Sequence, residues 1–174
     1  MMTAVFACAA FFVSVFSAVS DVRSLRIPNS HSITIVALFF AAFLLSPDDF
    51  GRWWEHLGAA VGMFVVTYAM FVSGMIGGGD AKLGPALALW VGFKGLAAYL
   101  FYMSLAGGLL AALSLLIRKR KPFQNPQVGG WIAQVQEGRN AVPYGVAISF
   151  GAWAALLHTG FVRYVLDELL KVIH

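Results

Sequence analysis

The stretch Gly77-Gly78-Gly79-Asp80-Ala81-Lys82-Leu83-Gly84-Pro85-Ala86-Leu87-Ala88-Leu89-Trp90-Val91-Gly92-Phe93-Lys94 decides how this chain folds. Its charge-free part, 83–93, is too short to cross a bilayer, reaching roughly 16 Å through a hydrocarbon core about 30 Å thick. The run must borrow neighbours. Extending it backwards takes in Asp80 and the glycines, while Lys82 and Lys94 send their ammonium groups towards opposite interfaces. Asp80 is thereby drawn to the membrane boundary or slightly inside it, where an ionisable group usually does chemistry.

Further apolar runs lie outward from this one, at 1–20, 27–47, 57–79, 95–117 and 141–162, each bounded by charged or turn-forming residues. With 60% hydrophobic and 11% charged residues and a mean hydropathy of +0.79, the chain lacks the charge to cover a soluble surface. The reading is an all-α integral membrane protein, a bundle of about six transmembrane helices forming one domain over 1–174. The net charge of +4 does not argue for nucleic acid, because the basic residues sit between apolar runs, where they set orientation. Cys8 stands alone, which excludes an internal disulfide and a cysteine zinc cluster. No basic segment precedes it, so 1–20 reads as a retained span and not a removable signal.

Span parity puts the ends of runs one, three and five on one side. Asp21, Asp80 and the cluster Arg118-Lys119-Arg120-Lys121 therefore face the same compartment, and the cluster marks it as cytoplasmic. Arg23, Arg26, Lys82 and Arg139 join them there; Arg52, Lys94, Arg163 and Lys171 lie opposite, and Trp53 and Trp54 read as interfacial anchors in the external loop between the second and third runs. The polar cytoplasmic loop 119–140 has two open readings, a flap over a substrate groove and a loose tether. The segment 162–174 reads as an amphipathic piece along the outer surface.

Two motifs carry chemistry. In Asp21-Val22-Arg23-Ser24-Leu25-Arg26-Ile27-Pro28-Asn29 a carboxylate precedes two arginines, and Pro28-Asn29 turns the chain into the next span. A charged interfacial turn explains this motif as well as a site does, and Arg23 and Arg26 are equally suited to lipid headgroups. In Gly77-Gly78-Gly79-Asp80 the glycines remove bulk and free the backbone just before a carboxylate, letting another backbone approach it; a hinge with an incidental aspartate is the alternative. No Gly-Lys-Ser/Thr follows, so this is not a phosphate loop.

Brought together in a partly dry site, Asp21 and Asp80 cannot both ionise, and one proton is shared. The ionised member takes a proton from attacking water while the other protonates the developing oxyanion. Such chemistry needs no metal or cofactor. The sequence holds no His-Glu-x-x-His and no Ser-His-Asp set, and His31, His56, His158 and His174 lack ligand spacing.

With Val142-Pro143-Tyr144-Gly145-Val146-Ala147 opening the last span, three motifs stand in order, and nearly the whole chain resembles the type IV prepilin peptidases. The similarity is greatest to the short form of the tight-adherence pilus systems and to archaeal preflagellin peptidases. The resemblance implies that Asp21 and Asp80 are the catalytic pair, with Gly77 and Gly79 as motif glycines. Gly78, Lys82, Arg23, Arg26, Pro28 and Asn29 are the substrate-binding or site-shaping candidates around them. It also implies a pilin-like precursor as partner, cleavage of its short basic leader, and a place in the bacterial cytoplasmic membrane. Larger relatives add paired Cys-x-x-Cys motifs and N-methyltransferase activity, which the lone Cys8 argues against here. For Pro143-Tyr144-Gly145 no catalytic role emerges. Oligomeric state is open.

Three rivals remain. A presenilin-like intramembrane protease shares Gly-x-Gly-Asp, but its Tyr-Asp span motif is missing. A proton-coupled membrane carrier or channel would use the same aspartates as proton shuttles, and a non-enzymatic assembly factor would not need them.

Overall fold

The computed structural model describes residues 2–161; the expected amphipathic segment 162–174 lies outside the described residues. Six α-helices and a short 3-10 turn make up the described chain: α1 (Met2–Ser24), α2 (Asn29–Leu45), the turn Pro47–Phe50, α3 (Trp53–Val72), α4 (Asp80–Arg120), α5 (Trp131–Gln136) and α6 (Tyr144–His158). No strand occurs among the described residues. Helices α1, α3 and α4 are long and apolar enough to cross a membrane, and α2 and α6 are shorter apolar helices. The all-helical membrane bundle expected from composition is the fold observed.

Helix α4 contains both the short run and its successor. At Gly92 the backbone leaves the helix with φ 65° and ψ 178°, a conformation open essentially to glycine alone. The chain then folds back: the Tyr99 hydroxyl donates to the Gly84 carbonyl at 3.2 Å, whereas fifteen residues along an unbroken helix lie about 22 Å apart. So α4 is two antiparallel legs, 80–91 and 93–120, which with α1, α2, α3 and α6 make six bundle segments among the described residues, matching the six runs read from the sequence. His56 of α3 braces the break, its Nδ1–H donating to the Leu89 carbonyl at 2.9 Å.

The short leg is the axis of the bundle. Ala81 and every residue from Leu83 to Gly92 are buried, because an apolar helix ringed by neighbours has no face left for lipid. Helices α3 and α6 pack along α4, and α1 packs on α2 and α6, whereas α2 and α3 meet mainly through the ring pairs Phe39–His56 and Phe43–Trp53. Small residues permit the close approaches: a Cβ on Gly151 of α6 would sit 2.7 Å from the Met103 backbone nitrogen of α4.

Three boundaries differ from the sequence reading. Helix α1 continues through Asp21 to Ser24, and α3 ends at Val72, leaving 73–79 as a non-helical loop. Trp53 and Trp54 belong to the first turn of α3 and not to a connecting loop. The loop 119–140 is partly folded, since α5 packs Trp131 and Val135 against Ile117, Val22 and Leu25. The Trp131 indole N–H donates to Ser114 Oγ at 3.0 Å. That packing ties α5 to the end of the bundle where α1 and α4 finish.

Candidate active site

Helix α1 aims Asp21 inward by simple periodicity. Its buried residues include Ala4, Ala7, Ala10, Ser14, Ser17 and Asp21, spaced three or four apart, so the aspartate is the last rung of the packing stripe. Ser14 and Ser17 satisfy their hydroxyls on the preceding turn, at 2.8 Å from the Phe11 carbonyl and 2.9 Å from that of Val13. Asp21 is only 5% exposed. The helix then stops at Leu25, which takes a positive φ of 51°, and Ser20 Oγ holds the exit by donating to the Arg26 carbonyl at 2.7 Å.

The partner of Asp21 comes from the other end of the sequence. The Gly145 backbone N–H, in the first turn of α6, donates to Asp21 Oδ2 at 2.7 Å in a buried bond. First-turn N–H groups have no acceptor within their own helix, and they carry its positive end. A Cβ at position 145 would lie 2.8 Å from Ile27 Cδ1 and 3.0 Å from Asp21 Oδ2, so only glycine lets the α6 backbone come this close. Pro143-Tyr144-Gly145, for which the sequence suggested no role, thus contributes a donor to the site.

Asp80 opens α4. The glycine loop before it fits tightly, since a Cβ on Gly77 would stand 3.1 Å from Asp80 Oδ2 and one on Gly79 2.9 Å from Ile27 Cβ. The first turn of α4 is anchored by bonds from Ala81 N to the Gly77 carbonyl at 3.1 Å and from Leu83 N to that of Gly79 at 2.9 Å. Pro85 has no N–H, so the Ala81 carbonyl lacks its usual helical donor. The buried Thr67 hydroxyl of α3 reaches it at 3.1 Å, sharing its one proton with the Met63 carbonyl of its own helix at 2.9 Å.

Asp21 and Asp80 line one cleft of about 560 Å³ together with Gly77, Gly78, Gly79, Arg26, Pro28 and Asn29. The two carboxyl groups share this cleft, and neither forms an ion pair among the described residues. Asp80 Oδ1 is buried without a hydrogen-bond partner among them. A carboxyl oxygen in that state suits an O–H waiting for an acceptor, while Asp21 already accepts from Gly145. The pair can therefore hold one proton between them and move it to or from a third group placed in the cleft.

Of the other residues singled out in the sequence, Lys82 lies beside the cleft and donates to Asn29 Oδ1 at 2.9 Å. Arg23 points elsewhere, into an apolar groove between α1 and α6 with Phe11 and Trp153. Sequence reasoning missed Gly145, Thr67 and Ile27. The spacing of small residues through α1 would have flagged Asp21 as inward, and Pro85 would have flagged an unpaired carbonyl four residues earlier. No group of three or more His, Cys, Asp and Glu suited to a metal occurs among the described residues.

Residues 7–112 match the type IV leader peptidase family, a segment that holds both aspartates. The chain is also 33% identical over 152 residues to a prepilin leader peptidase/N-methyltransferase of Bacillus subtilis (strain 168), covering 82% of this chain and 60% of that relative. The chain thus spans about three fifths of the relative's length. No solved structure matches. On the family match and on this relative, the chain belongs to the type IV leader peptidase family.

Proposed function

We propose that the chain is a membrane aspartic endopeptidase that removes the short basic leader of a type IV pilin-like precursor at the cytoplasmic boundary of the bacterial inner membrane. The observation that carries this reading is the single cleft that Asp21 and Asp80 both line, neither of them ion-paired among the described residues, one bonded to Gly145 and the other with an unpartnered oxygen. Family membership supports it.

In the proposed reaction ionised Asp21 takes a proton from water, whose oxygen bonds to the scissile carbonyl carbon as protonated Asp80 gives its proton to the carbonyl oxygen. Collapse of the resulting gem-diol returns a proton from its hydroxyl to Asp80, breaks the C–N bond, and passes the proton on Asp21 to the leaving amine. Each carboxyl group ends as it began. The cluster Arg118, Lys119 and Arg120, which closes α4 at the dyad's end of the bundle, supports a cytoplasmic cleft by the positive-inside rule. The proposal covers cleavage alone, not methyl transfer.

Asp21→Asn and Asp80→Asn, assayed separately on a membrane-inserted pilin precursor, are each expected to abolish cleavage while leaving the folded protein intact in the membrane. Retained cleavage in either variant removes the dyad. A liposome proton flux that vanishes in Asp80→Asn, with cleavage unaffected, would instead establish the carrier reading.

A further inference from the structure

The catalytic cleft leaves open where the membrane-embedded part of a substrate lies. Helices α2 and α3 each pack on α4 and touch one another through the ring pairs Phe39–His56 and Phe43–Trp53, and a lateral groove of about 580 Å³ lies between them. Ile33 and Phe40 form one wall and Leu57, Val61 and Phe64 the other. Pro85 and Ala86 of the short leg form part of the floor. The wall side chains are all well exposed, from 42% for Leu57 to 66% for Ile33.

A second apolar groove, between α1 and α6, offers the alternative route. Of the two, the α2–α3 groove borders the cleft, sharing Asn29 as a lining residue. Lys82, bonded to Asn29, lines the groove at the same point. The α1–α6 groove ends instead at Arg23, which does not line the cleft. Along α2 the groove extends from Asn29 to Phe40, about 16 Å or three helical turns. Small residues, Ala60 of α3 and Ala86 of the floor, leave room for a helix to approach closely. Ser32 lines the groove one turn from Asn29, and its Oγ has no hydrogen-bond partner among the described residues.

We infer that the α2–α3 groove seats the apolar transmembrane helix of the substrate, with the Asn29–Lys82 pair marking where the chain leaves the groove and its scissile bond enters the cleft. This rests on the peptidase reading above. A helix held on two sides and from below presents its first extramembrane residues beside Asp21 and Asp80. The binding energy comes from side chains distant from the reacting bond, which then serves to position it.

The test traps the complex. In a Cys8→Ser, Asp80→Asn background, single cysteines are placed at Ile33→Cys, Val61→Cys and, for the other groove, Val15→Cys. Each is paired by a short bifunctional thiol reagent with a precursor carrying one cysteine in its membrane helix. Cross-links from positions 33 and 61 and none from 15 are expected. Links from 15 alone, or from no position, overturn the inference. In otherwise unaltered enzyme, Val61→Trp is expected to raise KM for the membrane-inserted precursor about tenfold or more with kcat little changed, as for lost ground-state binding. The same change at Val15, exposed in the α1–α6 groove, is expected to leave KM unaltered. An unchanged KM in Val61→Trp means the groove holds lipid only and overturns the inference. Loss of cleavage in Asp21→Asn and Asp80→Asn alongside that result leaves the peptidase reading standing, whereas cleavage by either variant defeats the reading itself.

Discussion

The Thr67 hydroxyl lies 3.1 Å from the Ala81 carbonyl, the acceptor that Pro85 leaves without a helical donor. This bond joins α3 to the first turn of α4, next to Asp80, so a hydroxyl one helix away helps fix where the carboxylate stands. Thr67→Val keeps the shape and removes the donor, stranding a buried carbonyl at a cost of about 1–3 kcal/mol. Reduced thermal stability and slower precursor cleavage are expected together, and Thr67→Ser should recover most of both. Unfolding in detergent and an initial-rate assay check this; a Val variant equal to the parent shows the bond to be dispensable.

Gly145 admits no side chain. A Cβ there meets Asp21 Oδ2 at 3.0 Å and Ile27 Cδ1 at 2.8 Å, so Gly145→Ala must push the carboxylate off the α6 N–H that holds it. A displacement approaching 1 Å in a reacting group costs about a hundredfold in rate, and a loss of that order in kcat is expected. Gly108→Ala is the comparison, because a Cβ at that helical position meets nothing within 4 Å. It should retain full activity.

Gly92 sustains the reversal of α4. Replacing it with alanine forces a side chain into a conformation that costs about 1–3 kcal/mol, and the new Cβ would stand 3.1 Å from His56 Nδ1. Gly92→Ala is expected to lower the unfolding temperature more than Gly62→Ala, a change in α3 with open space around it. A comparison of the two melting curves decides it.

Much of this was legible in the sequence because hydropathy and parity are additive along a chain. The apolar runs, the end of the bundle shared by Asp21 and Asp80, and the need for the short run to borrow Asp80 all follow from counting residues and charges. Bonds between distant segments did not follow. Nothing near Gly145 announces that its N–H meets a carboxylate 124 residues earlier, and Thr67 looks like any threonine in an apolar helix until the Ala81 carbonyl is found across from it. The end of α3 was misjudged for a related reason. Hydropathy continues through Met75 and Ile76, but the glycines that follow release the backbone before the apolar signal stops.

The short leg of α4 also thins the insulation of the membrane along one line. From Asp80 to Val91 it spans about 18 Å. Beyond it, at the end of the bundle away from the dyad, lies a polar hollow of about 400 Å³ lined by Asp48, Asp49, His56 and Lys94. Water standing in that hollow and in the aspartate cleft would be parted by little more than this one helix and the rings around it. Leu83, Leu87 and Trp90, each no more than 2% exposed, fill that helix with apolar side chains, so a proton handled in the aspartate cleft would meet no polar group along them on its way to the hollow.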